Sequence, residues 1–348
     1  MILLYLCTFL LYVFGLLNLF GLSKEYFYKQ LLFTLVGLLV FYIVRRVNID
    51  FFRLNSKLLY WVFIAIMLMT YIIGFEAKGS RRWIDLGFFN FQPSEFFKVF
   101  FILFIADYFS RFRSAIALLP HYAKSILYFA LPSFIIFKQP DLATTVIFTF
   151  IFAVLCFFSK IPKKYFLYTV LIGILILPLG TFFLKDYQKH RITSFLSPHL
   201  NQQSTSYNMT QAVISIGSGG FIGRGLGLGT QSQLYFLPEN HTDFAFSALV
   251  EQFGFIGGAI IIILFSIIAL VLIKKLVDFY YKKDEDGLFK FYFVLGFLAF
   301  FIFQIFINIG MNLGMLPIAG IALPLVSYGG SSLITWMIGL GLLSRIIK

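Results

Sequence analysis

Runs of predominantly apolar residues, each close to the length needed to cross a bilayer, fill most of this chain and constrain its fold more than any other feature. A helix needs about 20 mostly apolar residues to span the hydrocarbon core, where each backbone polar group must be satisfied within the segment. Ten runs can be placed, over 2–20, 27–44, 58–75, 94–110, 123–137, 142–158, 164–184, 244–273, 288–310 and 321–344. The fifth and sixth are separated only by KQPD, Lys138 to Asp141, in which Pro140 supplies a break. The expected fold class is an all-α integral membrane protein with about ten transmembrane helices. Composition agrees, since 60% of the 348 residues are hydrophobic and only 12% are charged.

A net charge of +13 would point to nucleic acid in a soluble domain. Here the basic residues gather in alternate connections, as at Arg45 and Arg46, Arg111 and Arg113, Lys160 to Lys164, Lys274 and Lys275, and Lys282 and Lys283. By the positive-inside rule those connections and both termini are cytoplasmic, and no nucleic-acid partner is expected. The first apolar run lacks a basic n-region and a small-residue cleavage site, so it reads as a retained span. Cys7 and Cys156 both lie in apolar runs, which supports no disulfide framework. With no internal repeat or linker, 1–348 reads as one membrane domain. Two outer loops are long enough to carry chemistry, Glu76 to Pro93 and a larger one over about 185–242.

Ionisable groups beside these loops are the candidate site residues. In QPSEFFK, Glu95 and Lys98 are three apart and share a helix face. They form either an ion pair that lets both tolerate the interface or a phosphate-binding cation with its orienting carboxylate. Arg81 and Arg82 beside Trp83 suit either phosphate contact or an interfacial anchor. The stretch GSGGFIGRGLGLG, from Gly217 to Gly229, lacks the G-x-G-x-x-G spacing of a dinucleotide site, and its glycines suggest tight turns or close backbone approach. Glu239, His241 and Asp243 in ENHTDF leave three readings open. They could be metal ligands, Asp243 could complement a helix dipole with Thr242 or Asn240 capping, or Asp243 could be a general base.

The motifs KGSRRWIDLGFFNFQPSE, KQPDLAT, GTQSQLYFLPENHTDF, EQFGFIG and NIGMNLGMLPIAGIALPLVSYGGSS, in this order, resemble the SEDS family of membrane proteins that make peptidoglycan, over nearly the whole chain. GTQSQLYFLPE, lacking a basic-containing spacer, is similar to the elongation and rod-shape branch rather than the division branch. The resemblance implies a ten-helix fold in the bacterial cytoplasmic membrane, with an outward-facing glycosyltransferase site that polymerises lipid II. It implies Asp243 as the catalytic carboxylate, with Glu95, Lys98, Trp83 and Ser327 at the substrate. Arg191 and Arg82 are expected helpers at the pyrophosphate, where a divalent cation such as magnesium could assist, although no clear ligand set is evident. Attack opposite the leaving group would invert the anomeric centre. The implied partners are a class B penicillin-binding transpeptidase and the rod-shape (elongasome) proteins, with GFIGG, Gly254 to Gly258, as an expected place of close helix approach. Two departures from the family pattern are Gln252 after Glu251 and Tyr235 before FLPE. A lipid II flippase or a non-enzymatic scaffold are the rival readings, but the ionisable residues concentrate at the outer helix ends rather than through the membrane depth.

Overall fold

The computed structural model describes residues 1–77, 80–87, 89–111, 118–180, 182, 184–196, 205–282 and 284–347. Lys78 and Gly79 of the KGSRRW motif, Phe88, Arg113, Lys283, Lys348 and the stretch 197–204 of the expected outer loop lie outside the described residues.

Helices occupy every apolar run. In chain order they are α1 (Ile2–Leu22), α2 (Lys24–Arg46), a short α3 (Ile49–Leu54), α4 (Ser56–Ile73), α5 (Pro93–Ser110), α6 (Leu118–Lys138), α7 (Leu142–Phe158) and α8 (Lys163–Gly180). After these come α9 (Asp186–Leu196), α10 (Thr205–Gly219), α11 (Thr230–Gln233), α12 (Ala245–Tyr280), α13 (Glu285–Asn312) and α14 (Gly330–Ile346). Among the described residues α1, α2, α4, α12 and α13 are long and apolar enough to cross a membrane, while α7 and α14 are shorter apolar helices.

Three features differ from the sequence reading. The loop from Glu76 holds a three-stranded antiparallel sheet, β1 (Phe75–Ala77), β2 (Ser80–Asp85) and β3 (Asn90–Phe91), so the fold is not wholly helical. The large loop contains α9, α10 and α11. The last apolar run is helical only from Gly330, because Pro317 and Pro324 withhold backbone donors while Gly320 (φ 71°) and Leu325 (φ 64°) turn the chain into the left-handed region.

The chain divides into two compact units. One comprises Met1–Arg46, His190–Lys274 and Phe301–Lys348. In it the irregular stretch before α14 is laid against α1 at Gly15, where any Cβ would meet the Leu325 carbonyl oxygen at 2.9 Å. The other comprises Val47–Lys189 and Lys275–Phe300. There, Arg53 Nε meets Asp107 Oδ1 at 2.8 Å and its Nη2 meets Glu285 Oε1 at 2.5 Å, while Arg111 holds the second Asp107 oxygen at 2.7 Å. This network satisfies a carboxylate that α5 buries almost completely.

Gly254 explains the EQFGFIG motif. It breaks α12 with φ 71° and ψ −170°, and a Cβ there would lie 2.3 Å from Gly223 N. The glycine-rich segment fills the break, with Arg224 N donating to Glu251 O (2.9 Å), Gly225 N to Gln252 O (3.0 Å) and Phe255 N to Gly220 O (2.9 Å). Close approach at Gly254 is therefore made by the chain's own loop. Gly254→Ala is expected to cost at least about 1–3 kcal/mol from backbone conformation alone, with the clash added. Gly173→Ala, in α8 with no neighbour within 4 Å of the new Cβ, is the matched control and should be neutral or stabilising by about 0.5–1 kcal/mol. Thermal unfolding of the two variants checks both signs.

Candidate active site

Asp243 sits in the tight turn that enters α12, and its three-residue backbone is held from outside. Tyr328 N donates to the His241 carbonyl at 2.8 Å. Ser327 Oγ donates to the Thr242 carbonyl at 2.6 Å, and the Nδ2 groups of Asn308 and Asn312 donate to the Asp243 carbonyl at 3.1 and 3.0 Å. Gln304, Asn308 and Asn312 recur every four residues along one face of α13, all buried. Their amides also bond the Ala322 and Ile321 carbonyls, so one polar stripe fixes both the turn and the irregular stretch. Such a stripe in an apolar helix is the kind of signal that marks a site, and the sequence reading passed over it.

Arg191, from α9, faces the same point as Asp243. A Cβ on Gly320 would lie 3.6 Å from both Arg191 Nη1 and Asp243 Oδ2. The structure thus brings together a carboxylate and a guanidinium that are distant in sequence. Ser327 is buried, with its hydroxyl donating to the Thr242 carbonyl and accepting from Leu323 N at 2.8 Å, so it helps to build the turn that carries Asp243. α12 begins only at Ala245, so Asn240 and Thr242 lie ahead of the N-cap position, and their side chains donate elsewhere, Asn240 Nδ2 to Ser232 O (2.8 Å) and Thr242 Oγ1 to Glu239 Oε2 (2.9 Å). His241 stacks on Tyr26, with centroids 4.1 Å apart and planes 9° from parallel.

Glu251, about two turns along α12 and noted in the sequence only as the neighbour of Gln252, is the centre of a second polar cluster. It is fully buried and gathers donors on both oxygens. Gln231 N reaches Oε1 at 2.7 Å, while Ser232 N (3.0 Å), Ser232 Oγ (2.7 Å) and Ser215 Oγ (3.1 Å) reach Oε2. Ser232 in turn accepts from Asn240, which links this cage to the Asp243 turn. Gln252 bonds Asn18 Oδ1 (2.7 Å) and receives Gly227 N (3.0 Å), so it has a polar role of its own beside Glu251.

The second unit positions the other predicted residues. Trp83, on β2, stacks on Phe75 and lies under the Arg82 guanidinium at 4.3 Å. Arg82 Nη1 reaches Asp141 Oδ2 at 3.0 Å, pinning the sheet to the start of α7, where Asp141 is the N-cap and accepts from Thr144 N at 3.1 Å. Burial pulls the Asp141 carboxyl pKa upward, but the Arg82 charge and the Thr144 bonds more than offset it and leave it below the usual range. The predicted Glu95–Lys98 pair forms, with Nζ 2.7 Å from Oε1. Lys98 is wholly enclosed and also covers the Phe300 ring at 4.9 Å, so only Glu95 reaches the surface of its unit.

Asp141→Asn removes the charge that faces Arg82 and is expected to destabilise on the order of 3–5 kcal/mol. Because the folded pKa is depressed, this stabilisation is present above the unfolded carboxylate value of about 3.9 and is lost as pH falls through the lower folded value. Acid titration of unfolding in wild type and variant checks this, the two curves converging at low pH.

Among the described residues no three His, Cys, Asp or Glu side chains converge as a metal site.

Comparison with known proteins bears on the chain as a whole. The family model FTSW_RODA_SPOVE, described as cell cycle protein, matches residues 1–348. A probable peptidoglycan glycosyltransferase FtsW of Coxiella burnetii is 34% identical, over 94% of this chain and 87% of that protein. A peptidoglycan glycosyltransferase RodA of Treponema pallidum is 30% identical, over 93% of this chain and 90% of that protein. A solved chain from work on coordination of polymerization and crosslinking by a peptidoglycan synthase complex superposes with a TM-score of 0.84 at 26% identity, covering 99% of this chain and 96% of its own.

Proposed function

Because this chain belongs to the FtsW, RodA and SpoVE family and is an integral-membrane peptidoglycan glycosyltransferase, we propose that it polymerises lipid II on the outer face of the cytoplasmic membrane, with Asp243 as the base. The observation that carries this reading is the turn at 241–243, whose carbonyls are all taken by Tyr328, Ser327, Asn308 and Asn312. A carboxylate carried on a backbone fixed in this way has a defined place from which to accept a proton, a contribution worth about 10²–10⁴ in rate. Asp243 takes the proton of the acceptor sugar hydroxyl as that oxygen attacks the anomeric carbon of a second lipid-linked disaccharide. The polyprenyl pyrophosphate leaves from the opposite face, and the centre inverts without a covalent enzyme intermediate. Arg191, facing the same point, stabilises negative charge as it develops. Trp83 and Arg82 supply a rigid surface at headgroup level, held by Asp141. Lys98 supports Glu95, and its direct contact with a phosphate would require the Glu95 carboxylate to swing away. A flippase or scaffold gives no reason for a carboxylate on so firmly held a turn.

The finer assignment is to the elongation branch, acting with a class B penicillin-binding transpeptidase and the rod-shape proteins. Its support is the direct run from Gly229 through α11 to Pro238, without a basic spacer. The 34% identity to an FtsW favours the division branch as the second reading. Expression in cells depleted of either activity tests this. Restored rod growth without restored septation is expected, and restored septation alone would transfer the chain to the division branch.

A further inference from the structure

In the unit formed by Val47–Lys189 and Lys275–Phe300, a cavity of about 590 Å³ opens beside the sheet, with neither Glu95 nor Lys98 among its described lining residues. Three cations line it from three separate elements, Arg81 on β2, Lys138 in the last turn of α6, and Lys185 just before α9. Against them stands a single carboxylate, Glu76, which lies 3.2 Å from Arg81. The rest of the wall is apolar and aromatic, with Tyr71 and Ile72 from the last turn of α4 and Phe137 from α6. Tyr71 and Ile72 are 47% and 74% exposed at the end of a helix long and apolar enough to span a membrane. The floor is built, since buried Gln188 accepts Lys185 N at 3.0 Å and donates to the Pro140 carbonyl. Cationic and apolar walls therefore meet at the level where a bilayer places its headgroups.

We infer that this cavity binds the phosphate headgroup of a membrane lipid, with Arg81, Lys138 and Lys185 at the phosphate and Tyr71, Ile72 and Phe137 along the start of the tail. A soluble anion would use the cations but gain nothing from the apolar wall, whereas a zwitterionic lipid would bring its own positive charge against described lining residues that hold two more cations than carboxylates. Two lipids share the required chemistry, an anionic glycerophospholipid and a polyprenyl pyrophosphate. The inference requires a membrane location but not the catalytic role of Asp243.

Native mass spectrometry of the purified full chain tests it, with phosphatidylglycerol, phosphatidylcholine, polyprenyl pyrophosphate and inorganic phosphate each added to wild type and to Lys138→Ala/Lys185→Ala. Both lysines are exposed, so the variant keeps its packing. A loss of about thirtyfold in affinity is expected for a phosphate lipid, at roughly one charge interaction per lysine. Loss for phosphatidylglycerol alone identifies a structural bilayer lipid, loss for the pyrophosphate alone identifies the carrier, and loss for both supports a general phosphate-lipid site. Unchanged affinity for both lipids in the variant overturns the inference, as does equal affinity of wild type for phosphatidylcholine or for inorganic phosphate. Because this test reads lipid binding and not polymerisation, failure of this site and failure of the catalytic reading give different results.

Discussion

Asp243→Asn should lower glycan polymerisation by about 10²–10⁴-fold while leaving the fold intact. The substitution keeps size and shape, and the groups that hold this position bond the backbone, not the side chain. Asn308 and Asn312 still reach the carbonyl of residue 243, and Ser327 still reaches that of Thr242. A half-buried isosteric change away from the packed core usually moves stability by no more than about 0.5 kcal/mol. Rate and thermal midpoint should therefore separate, and a variant that loses both together would show that the carboxylate is structural.

Glu251→Ala is expected to do the reverse, lowering stability first and activity as a consequence. Its carboxylate accepts the Gln231 and Ser232 backbone N–H groups, one on each oxygen, together with the Ser215 and Ser232 hydroxyls. Hydroxyls can rotate to other acceptors, but the two N–H groups cannot. Leaving both unpaired in a buried site costs about 2–6 kcal/mol, at 1–3 kcal/mol for each donor. Glu251→Gln is informative because either orientation of the amide turns its nitrogen toward one of those N–H groups, so it should fall between wild type and Ala. Since Ser232 O receives Asn240 Nδ2, loosening the cage also loosens the approach to the Asp243 turn. Thermal unfolding of Glu251→Ala, Glu251→Gln and the milder Ser215→Ala should rank in that order from least to most stable. Wild-type stability in the alanine variant would contradict the cage.

The apolar runs were legible because hydropathy reports the solvent of a helix directly, and nine helix positions follow from it closely. The tenth was misread at its start, since IALPLV is as apolar as a helix but is governed by Pro324 and by the left-handed turns at Gly320 and Leu325. The sheet at Phe75–Phe91 is not legible in the sequence because its strands are short and bury little, so no sustained alternation marks them. The Glu95–Lys98 pair was readable from helical spacing alone. Its exposure was not, because the enclosure of Lys98 depends on Phe300, some 200 residues away in sequence. Likewise, Asp243 stood out by its chemistry, while the amide stripe of α13 and the cage of Glu251 depend on which carbonyls and N–H groups tertiary folding leaves nearby. Asp141 offered a local signal that went unused, since an aspartate directly before an apolar run is an N-cap signature.

The most direct test of the central claim is to give purified full-length protein, together with its cognate transpeptidase, labelled lipid II and to resolve the products on a gel. Glycan polymer from wild type and its loss in an equally stable Asp243→Asn protein are the predicted results. No polymer from wild type with its partner, or equal polymer from the variant, would contradict the assignment of Asp243 as the base.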